Sequence, residues 1–93
     1  MRRAERDLDE IQRYLDIDAP RASGRVIDGL LEAIESLADI PLRGAVPSDP
    51  DLERAGYRFL AQAPYLVFYK VRGRTVRIFR VLHGRRNWWR LLR

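Results

Sequence analysis

Residues 57–83 read YRFLAQAPYLVFYKVRGRTVRIFRVLH, and the punctuation of this stretch decides the fold. Three runs rich in Val, Ile, Phe and Tyr, namely Tyr57–Ala61, Tyr65–Val71 and Thr75–Leu82, are separated by Ala63-Pro64 and by Arg72-Gly73. Short β-branched and aromatic runs bounded by Pro and Gly are strands, and Arg-Gly between two strong ones predicts a tight hairpin. Three such strands in succession make an antiparallel meander. In the last run, alternation predicts Val76, Ile78 and Leu82 on one face and Arg77, Phe79 and Val81 on the other. Both faces are partly apolar, so the sheet needs two covers.

Toward the N-terminus the period changes. From about Arg3 to Asp16 the apolar positions are Ala4, Leu8, Ile11 and Leu15, which form one helical stripe with Glu5, Asp9, Glu10 and Arg13 facing away. Asp18 is a suitable N-cap for a second helix, and Pro20 falls in its first turn, where a missing N–H costs little. That helix runs to about Asp39 with Val26, Leu30, Ala33, Ile34 and Leu37 on one face, and Pro41 stops it. Gly24 and Gly29 weaken it by roughly 1 kcal/mol each relative to Ala, a loss that close helix–helix contact would explain. Two amphipathic helices on a very short link make an antiparallel hairpin. Leu42 to Gly56, with Pro47, Pro50 and four Gly and Asp, has loop composition.

The expected fold class is therefore α+β, with residues 1–93 as a single domain. An N-terminal antiparallel helical hairpin (1–40) packs on a C-terminal antiparallel β-sheet (57–83), followed by a basic tail (84–93). The hairpin can cover one sheet face only; Trp88, Trp89, Leu91 and Leu92 of the tail, or a partner chain, would cover the other.

Charge divides the chain along the same line. All thirteen carboxylates lie before residue 54; with seven Arg there, residues 1–53 are net −6, and ten Arg plus Lys70 make residues 54–93 net +11, which together give +5. A positive field confined to one structural unit, in a chain of pI about 10.4, points to an acidic partner: nucleic acid, an acidic polypeptide or both. Without cysteine there is no disulfide framework and no thiolate chemistry, and a single His makes a histidine-based metal site a poor expectation. No cofactor or metal is expected. No apolar run approaches the ~20 residues that span a bilayer, and the charged start MRRAERDLDE is unlike a signal peptide, so the expected location is cytoplasmic with no membrane partner.

Helical hairpin, loop, basic meander and then Arg80-Val81-Leu82-His83-Gly84-Arg85-Arg86-Asn87-Trp88: this order resembles the RelE/ParE superfamily of bacterial type II toxins. The matching segments are Ala4 to Ile11 with Tyr14, Pro41 to Gly44, Tyr57-Arg58 with Leu60, Tyr65 to Tyr69, and Val81 to Trp88. The HGRR-x-W ending looks most like the ParE branch. Members of the superfamily usually begin with a short strand before the first helix, whereas this chain starts at the helix. Either the true start lies upstream, or the sheet has lost a strand, and in the second case an edge is open to pairing.

The superfamily divides by target. RelE-like members cut mRNA in the ribosome, and ParE-like members poison DNA gyrase. Cleavage through a 2′-hydroxyl needs proton transfer at two oxygens and cations on the phosphorane. By resemblance, the first basic position of the nucleases is kept as Arg58 and the arginine after the last Gly as Arg86. A second basic position falls on Leu60, a strand arginine on Leu66, and the tail Tyr near Leu92. Leucine neither moves a proton nor stabilises charge. His83 is the neutral-range acid/base left to such a nuclease, with Arg86 and Arg58 as its cations.

The resemblance thus implies a toxin that acts by binding DNA gyrase, with no catalytic residues of its own. Arg85, Arg86, Asn87, Trp88 and Trp89 are the expected target contacts, since Arg and Trp are enriched among interface hot spots. It also implies a cognate antitoxin whose acidic, amphipathic C-terminal segment meets Arg58, Tyr65 and Arg80. For each residue there is a plainer expectation. His83 would end a strand, Arg85-Arg86 would be a solvated turn, Arg80 would lay its stem on the sheet with its head at the edge, and the strand aromatics would be core. Two alternatives stay open: a ribosome-dependent mRNA endonuclease, and a non-toxic basic module that binds any duplex in a salt-dependent way.

Overall fold

The structure is a computed structural model that describes residues 2–86 and 88–92, the side chain of Trp89 excepted. The first helix, α1 (Arg2–Asp18), buries Ala4 and Leu15 and packs Leu8 and Ile11 against the core, as the stripe predicts. The second, α2 (Pro20–Asp39), buries Leu30, Ala33 and Leu37. Asp18 is not its N-cap. It ends α1 instead, and Ala19 caps α2 without a side-chain hydrogen bond. Pro20 brings no N–H to be satisfied, and the N–H groups of Ala22 and Ser23 reach the Ala19 carbonyl at 2.9 and 3.1 Å, so a side-chain cap has little left to do.

The 42–56 segment is not loop throughout. Pro50–Arg54 forms a short helix, α3, whose first turn is held by Asp49 accepting from the N–H groups of Asp51 (2.9 Å) and Leu52 (3.2 Å). Asp followed by Pro is the pairing of N-cap and first helical residue that this geometry uses.

Three strands follow: β1 (Tyr57–Gln62), β2 (Tyr65–Arg72) and β3 (Thr75–His83), antiparallel in the order β1-β2-β3. Gly73, with φ +60°, takes the positive-φ position of a two-residue turn joining Arg72 to Thr75, so the hairpin is as tight as Arg-Gly implied. The last helix, α4 (Trp88–Leu92), lies within the basic tail.

One feature of β3 corrects the alternation. Phe68 pairs with Arg80 but its neighbour Tyr69 pairs with Ile78, which leaves Phe79 as an extra residue in a bulge. A bulge shifts the face of everything beyond it by one step. Val81 therefore joins Val76 and Ile78 on the side of the helical hairpin, while Leu82 joins Phe79 on the opposite side.

Each face builds its own core. Leu30, Ala33 and Leu37 of α2 pack on Leu60, Tyr65, Val67, Tyr69 and Val81. On the other face Leu52 of α3 and Leu92 of α4 cover Tyr57, Phe68 and Leu82, with Trp88 and Leu91 packed against them. The tail is the second cover that the two-faced sheet required.

Candidate target-binding surface and the frame that holds it

The bulge aims Arg80 at α1. Its Nε donates to Asp7 Oδ2 at 2.7 Å and its Nη2 to Asp7 Oδ1 at 3.0 Å, and the Val81 N–H donates to the same carboxylate at 3.0 Å. Both side chains are buried, Asp7 at 3% and Arg80 at 7% exposure. The carboxylate accepts three hydrogen bonds and has Arg3 at 3.7 Å as a further cation, the kind of compensation that burying such a pair requires. Arg80 also leans toward the Leu91 carbonyl at 3.5 Å, so one guanidinium links α1, β3 and α4. The outer edge of β3 is thus not bare: α1 lies along it, and Asp7 takes a strand N–H that a further strand would otherwise pair.

A second anchor holds the loop after α2. The buried Tyr69 hydroxyl donates to the Pro41 carbonyl at 2.8 Å and accepts the Gly44 N–H at 2.9 Å. A Cβ at Gly44 would lie 2.5 Å from that hydroxyl oxygen and 2.6 Å from the Phe59 carbonyl, so only glycine fits. Arg58 closes the same loop, donating from Nη2 to the carbonyls of Leu42 and Gly44 at 3.2 and 2.9 Å.

From this frame projects the tail. Gly84 donates to the Pro64 carbonyl at 2.8 Å, Arg86 to the His83 carbonyl at 3.0 Å, and the turn places Arg85 and Arg86 in solvent. Trp88 lays its ring on Phe68 with centroids 5.3 Å apart, and the Tyr57 hydroxyl donates to the Leu92 carbonyl at 3.3 Å. α4 then returns Arg90 beside Arg85 and Arg86, where the three border one shallow depression with Leu91. Arg90 was absent from the sequence-derived site; it reaches Arg85 and Arg86 only through the turn that α4 makes.

On the other side of the tail a cleft of about 450 Å³ runs between α1 and the ends of β2 and β3. Glu10, Tyr14, Tyr65, His83 and Arg86 all border it. His83 stacks edge-on to Tyr65 at 5.5 Å, and its Nδ1 accepts the Arg85 N–H at 3.2 Å. Burial, with a smaller contribution from Tyr14, raises the Tyr65 phenol above its ordinary pKa. Burial likewise raises Tyr57, against an opposing pull from the Arg80 cation.

The sequence-derived sets separate accordingly. Arg85 and Arg86 are exposed neighbours, Trp88 is half-buried as part of the second core, and Asn87 and the Trp89 side chain lie outside the described residues. Of Arg58, Tyr65 and Arg80, Tyr65 and Arg80 are buried; the Arg80 head lies at the β3 edge, but Asp7 of α1 covers and holds it there. Arg58 does not approach His83 and Arg86. It pairs opposite Tyr69 while His83 pairs opposite Tyr65 on the other side of β2, roughly 13 Å along the sheet and about 10 Å across it. Leu60, Leu66 and Leu92, which stand where the nucleases carry charge and a phenol, are all built into the two cores. Among the described residues no group of three or more His, Asp or Glu is placed to hold a metal, and no helix is long and apolar enough to cross a membrane.

The sequence matches the model of the ParE toxin of the type II toxin–antitoxin system parDE over residues 1–88. The chain belongs to the ParE toxin family. It is also 34% identical over 93 residues to the protein named "Putative toxin Y4kP" of Sinorhizobium fredii (strain NBRC 101917 / NGR234), an alignment covering 97% of this chain and 90% of that one. As a ParE-family toxin of a type II system, it has a cognate antitoxin as partner. The family match ends at Trp88, so it takes in the Asp7–Arg80 clasp, the Tyr69–Gly44 anchor and the exposed arginine turn.

Proposed function

We propose that this ParE-family toxin poisons DNA gyrase by binding, trapping the gyrase–DNA cleavage complex while the covalent chemistry remains the gyrase's own. The observation that carries the proposal is the exposed cluster of Arg85, Arg86 and Arg90, which is without a carboxylate partner among the described residues and is mounted on a tail packed into the second core. Arginines held this way suit a phosphate- or carboxylate-rich target surface. The core positions of Leu60, Leu66 and Leu92 support the same choice, since reinstating charge there would break the packing. Asn87, Trp88 and Trp89 complete the proposed contact.

The cognate antitoxin would bring an acidic, amphipathic C-terminal segment. Ile40, Leu42 and Val46 expose apolar surface close to Arg58, the complementary pairing for such a segment, while Tyr65 and Arg80 shape the sheet from inside. Location in the cytoplasm follows from the same target. To test the proposal, the Arg85→Glu/Arg86→Glu double variant is expressed in a bacterial host. It is expected to lose toxicity while retaining its helical signal and its antitoxin binding; full toxicity would remove these residues from the mechanism.

One observation favours a second reading, ribosome-dependent mRNA cleavage. The cleft gathers His83, Arg86, Tyr65, Tyr14 and Glu10, with the His83 imidazole as the acid/base group and Arg86 as a phosphate clamp. Killing that survives His83→Ala undiminished would eliminate it.

A further inference from the structure

The positive field has a second pole that the tail does not use. The β2–β3 hairpin overshoots its neighbour: β1 begins at Tyr57 opposite Lys70, so Val71, Arg72, Thr75 and Val76 pair only with each other beyond it. On this free end stand Lys70, Arg72, Arg74 and Arg77, four cations in eight residues with no acid between them. None of the four is ion-paired among the described residues. A groove of about 330 Å³ at its base is bordered by Lys70, Arg72, Arg77 and Phe79 against Ala55 and Gly56, and no carboxylate lines it.

The arrangement is costly without a ligand. Lys70 and Arg77 face each other directly in the ladder, where like charges are unfavourable. The Lys70 ammonium is held 4.4 Å from the Tyr57 ring centroid and 5.0 Å from that of Phe79, which offsets part of the repulsion and keeps the charge at the groove. Arg72, Arg74 and Arg77 remain exposed. Of the acids around α3, Asp51 pairs with Arg54 at 2.7 Å and Asp49 caps the helix.

The chemistry of this end selects its partner. Among the described residues, the large exposed apolar side chains, Tyr14, Ile17, Leu31, Ile40, Leu42 and Val46, all lie on the helical hairpin and the loop after it. Apolar surface at residues 70–77 is limited to the half-buried Val71 and Val76 beside Phe79, little for an amphipathic acidic polypeptide to bury, whereas a phosphate backbone needs only cations. A protruding two-stranded ribbon also has the width to enter a DNA major groove, with arginines on both strands to meet the flanking phosphates. We propose that the Lys70–Arg77 hairpin end is a second, independent site that binds duplex DNA through its phosphates. It lies about 23 Å from the Tyr65 end of β2, where the tail arginines sit, and it does not depend on gyrase being the target.

The test is a fluorescence-anisotropy titration of a labelled 20-base-pair duplex, without gyrase, over a salt series. The wild-type toxin is compared with Arg72→Ala/Arg77→Ala and with Arg85→Ala/Arg86→Ala. Each phosphate contact removed lowers the slope of log K against log salt by about 0.9, so the hairpin variant is expected to lose roughly 2 units of slope and the affinity that goes with it. An unchanged slope in the hairpin variant, with its thermal midpoint also unchanged, overturns the proposal. So does a loss of binding to polyglutamate with duplex binding intact, because that outcome assigns the site to an acidic polypeptide.

Discussion

The two faces of the sheet are covered by very different devices. On one side lies a hairpin of 17- and 20-residue helices; on the other, two five-residue helices, α3 and α4. Helices of five residues are far below the length that is stable alone, so the second cover exists only through what it touches. Those contacts include Leu52, Leu92 and Trp88 in the cluster around Phe68, the Tyr57 hydroxyl on the Leu92 carbonyl, and the Arg80 guanidinium. The thick cover holds the fold, and the thin one carries the arginines proposed to meet the target. A surface poised for binding is drawn from the less stable part of the molecule.

The comparison breaks most severely at the clasp shared by both sides. Asp7→Ala or Arg80→Ala leaves one buried charge without its partner and is expected to destabilise by ~3–5 kcal/mol. In a small domain whose total stability is on the order of 5–15 kcal/mol, that approaches global unfolding in a urea titration. Next come matched truncations of the two covers. Leu30→Ala, at a fully buried position under the hairpin, should cost ~2–5 kcal/mol. Leu92→Ala, at the end of α4, should cost less than about 2 kcal/mol, because that end can relax into the space. Equal losses in the two variants would show that the covers are energetically alike. Tyr69→Phe strands the Gly44 N–H and the Pro41 carbonyl and is expected to cost about 1–3 kcal/mol, with faster exchange confined to residues 41–45.

The smallest expected effect is on pH. Tyr57 and Tyr65 both have raised pKa values because burial disfavours the phenolate. The fold therefore favours their neutral forms. Their contribution is intact below the ordinary tyrosine value of about 10 and is lost as pH rises through the raised one. Thermal melts from pH 9 to 11 should show a declining midpoint, shallower in Tyr57→Phe and Tyr65→Phe.

Most of the fold was legible because it rests on local period and punctuation. The stripe Ala4-Leu8-Ile11-Leu15, the breaks at Ala63-Pro64 and Arg72-Gly73, and the need for a second cover all read correctly from the chain. α3 was readable in Asp49-Pro50 but was masked by the Gly and Pro around it. What did not read is long-range. Asp7 lies within the buried arc of α1, three residues after Ala4, yet nothing local names its partner 73 residues away. The bulge at Phe79 that aims Arg80 shifts the strand's two-residue period by one step, so the faces of Val81 and Leu82 came out exchanged. The site divides the same way: Arg85 and Arg86 were visible as an acid-free turn, while Arg90 and the cleft around His83 needed helix and strands brought together in space.

The most direct test of the binding account is purified DNA gyrase with supercoiled plasmid, ATP and increasing toxin, run beside Arg85→Glu/Arg86→Glu. Accumulation of linear, protein-linked DNA with the wild-type chain and its absence with the double variant is the predicted result. Supercoiling undisturbed by the wild-type toxin, with no cleaved DNA at any concentration, would contradict it.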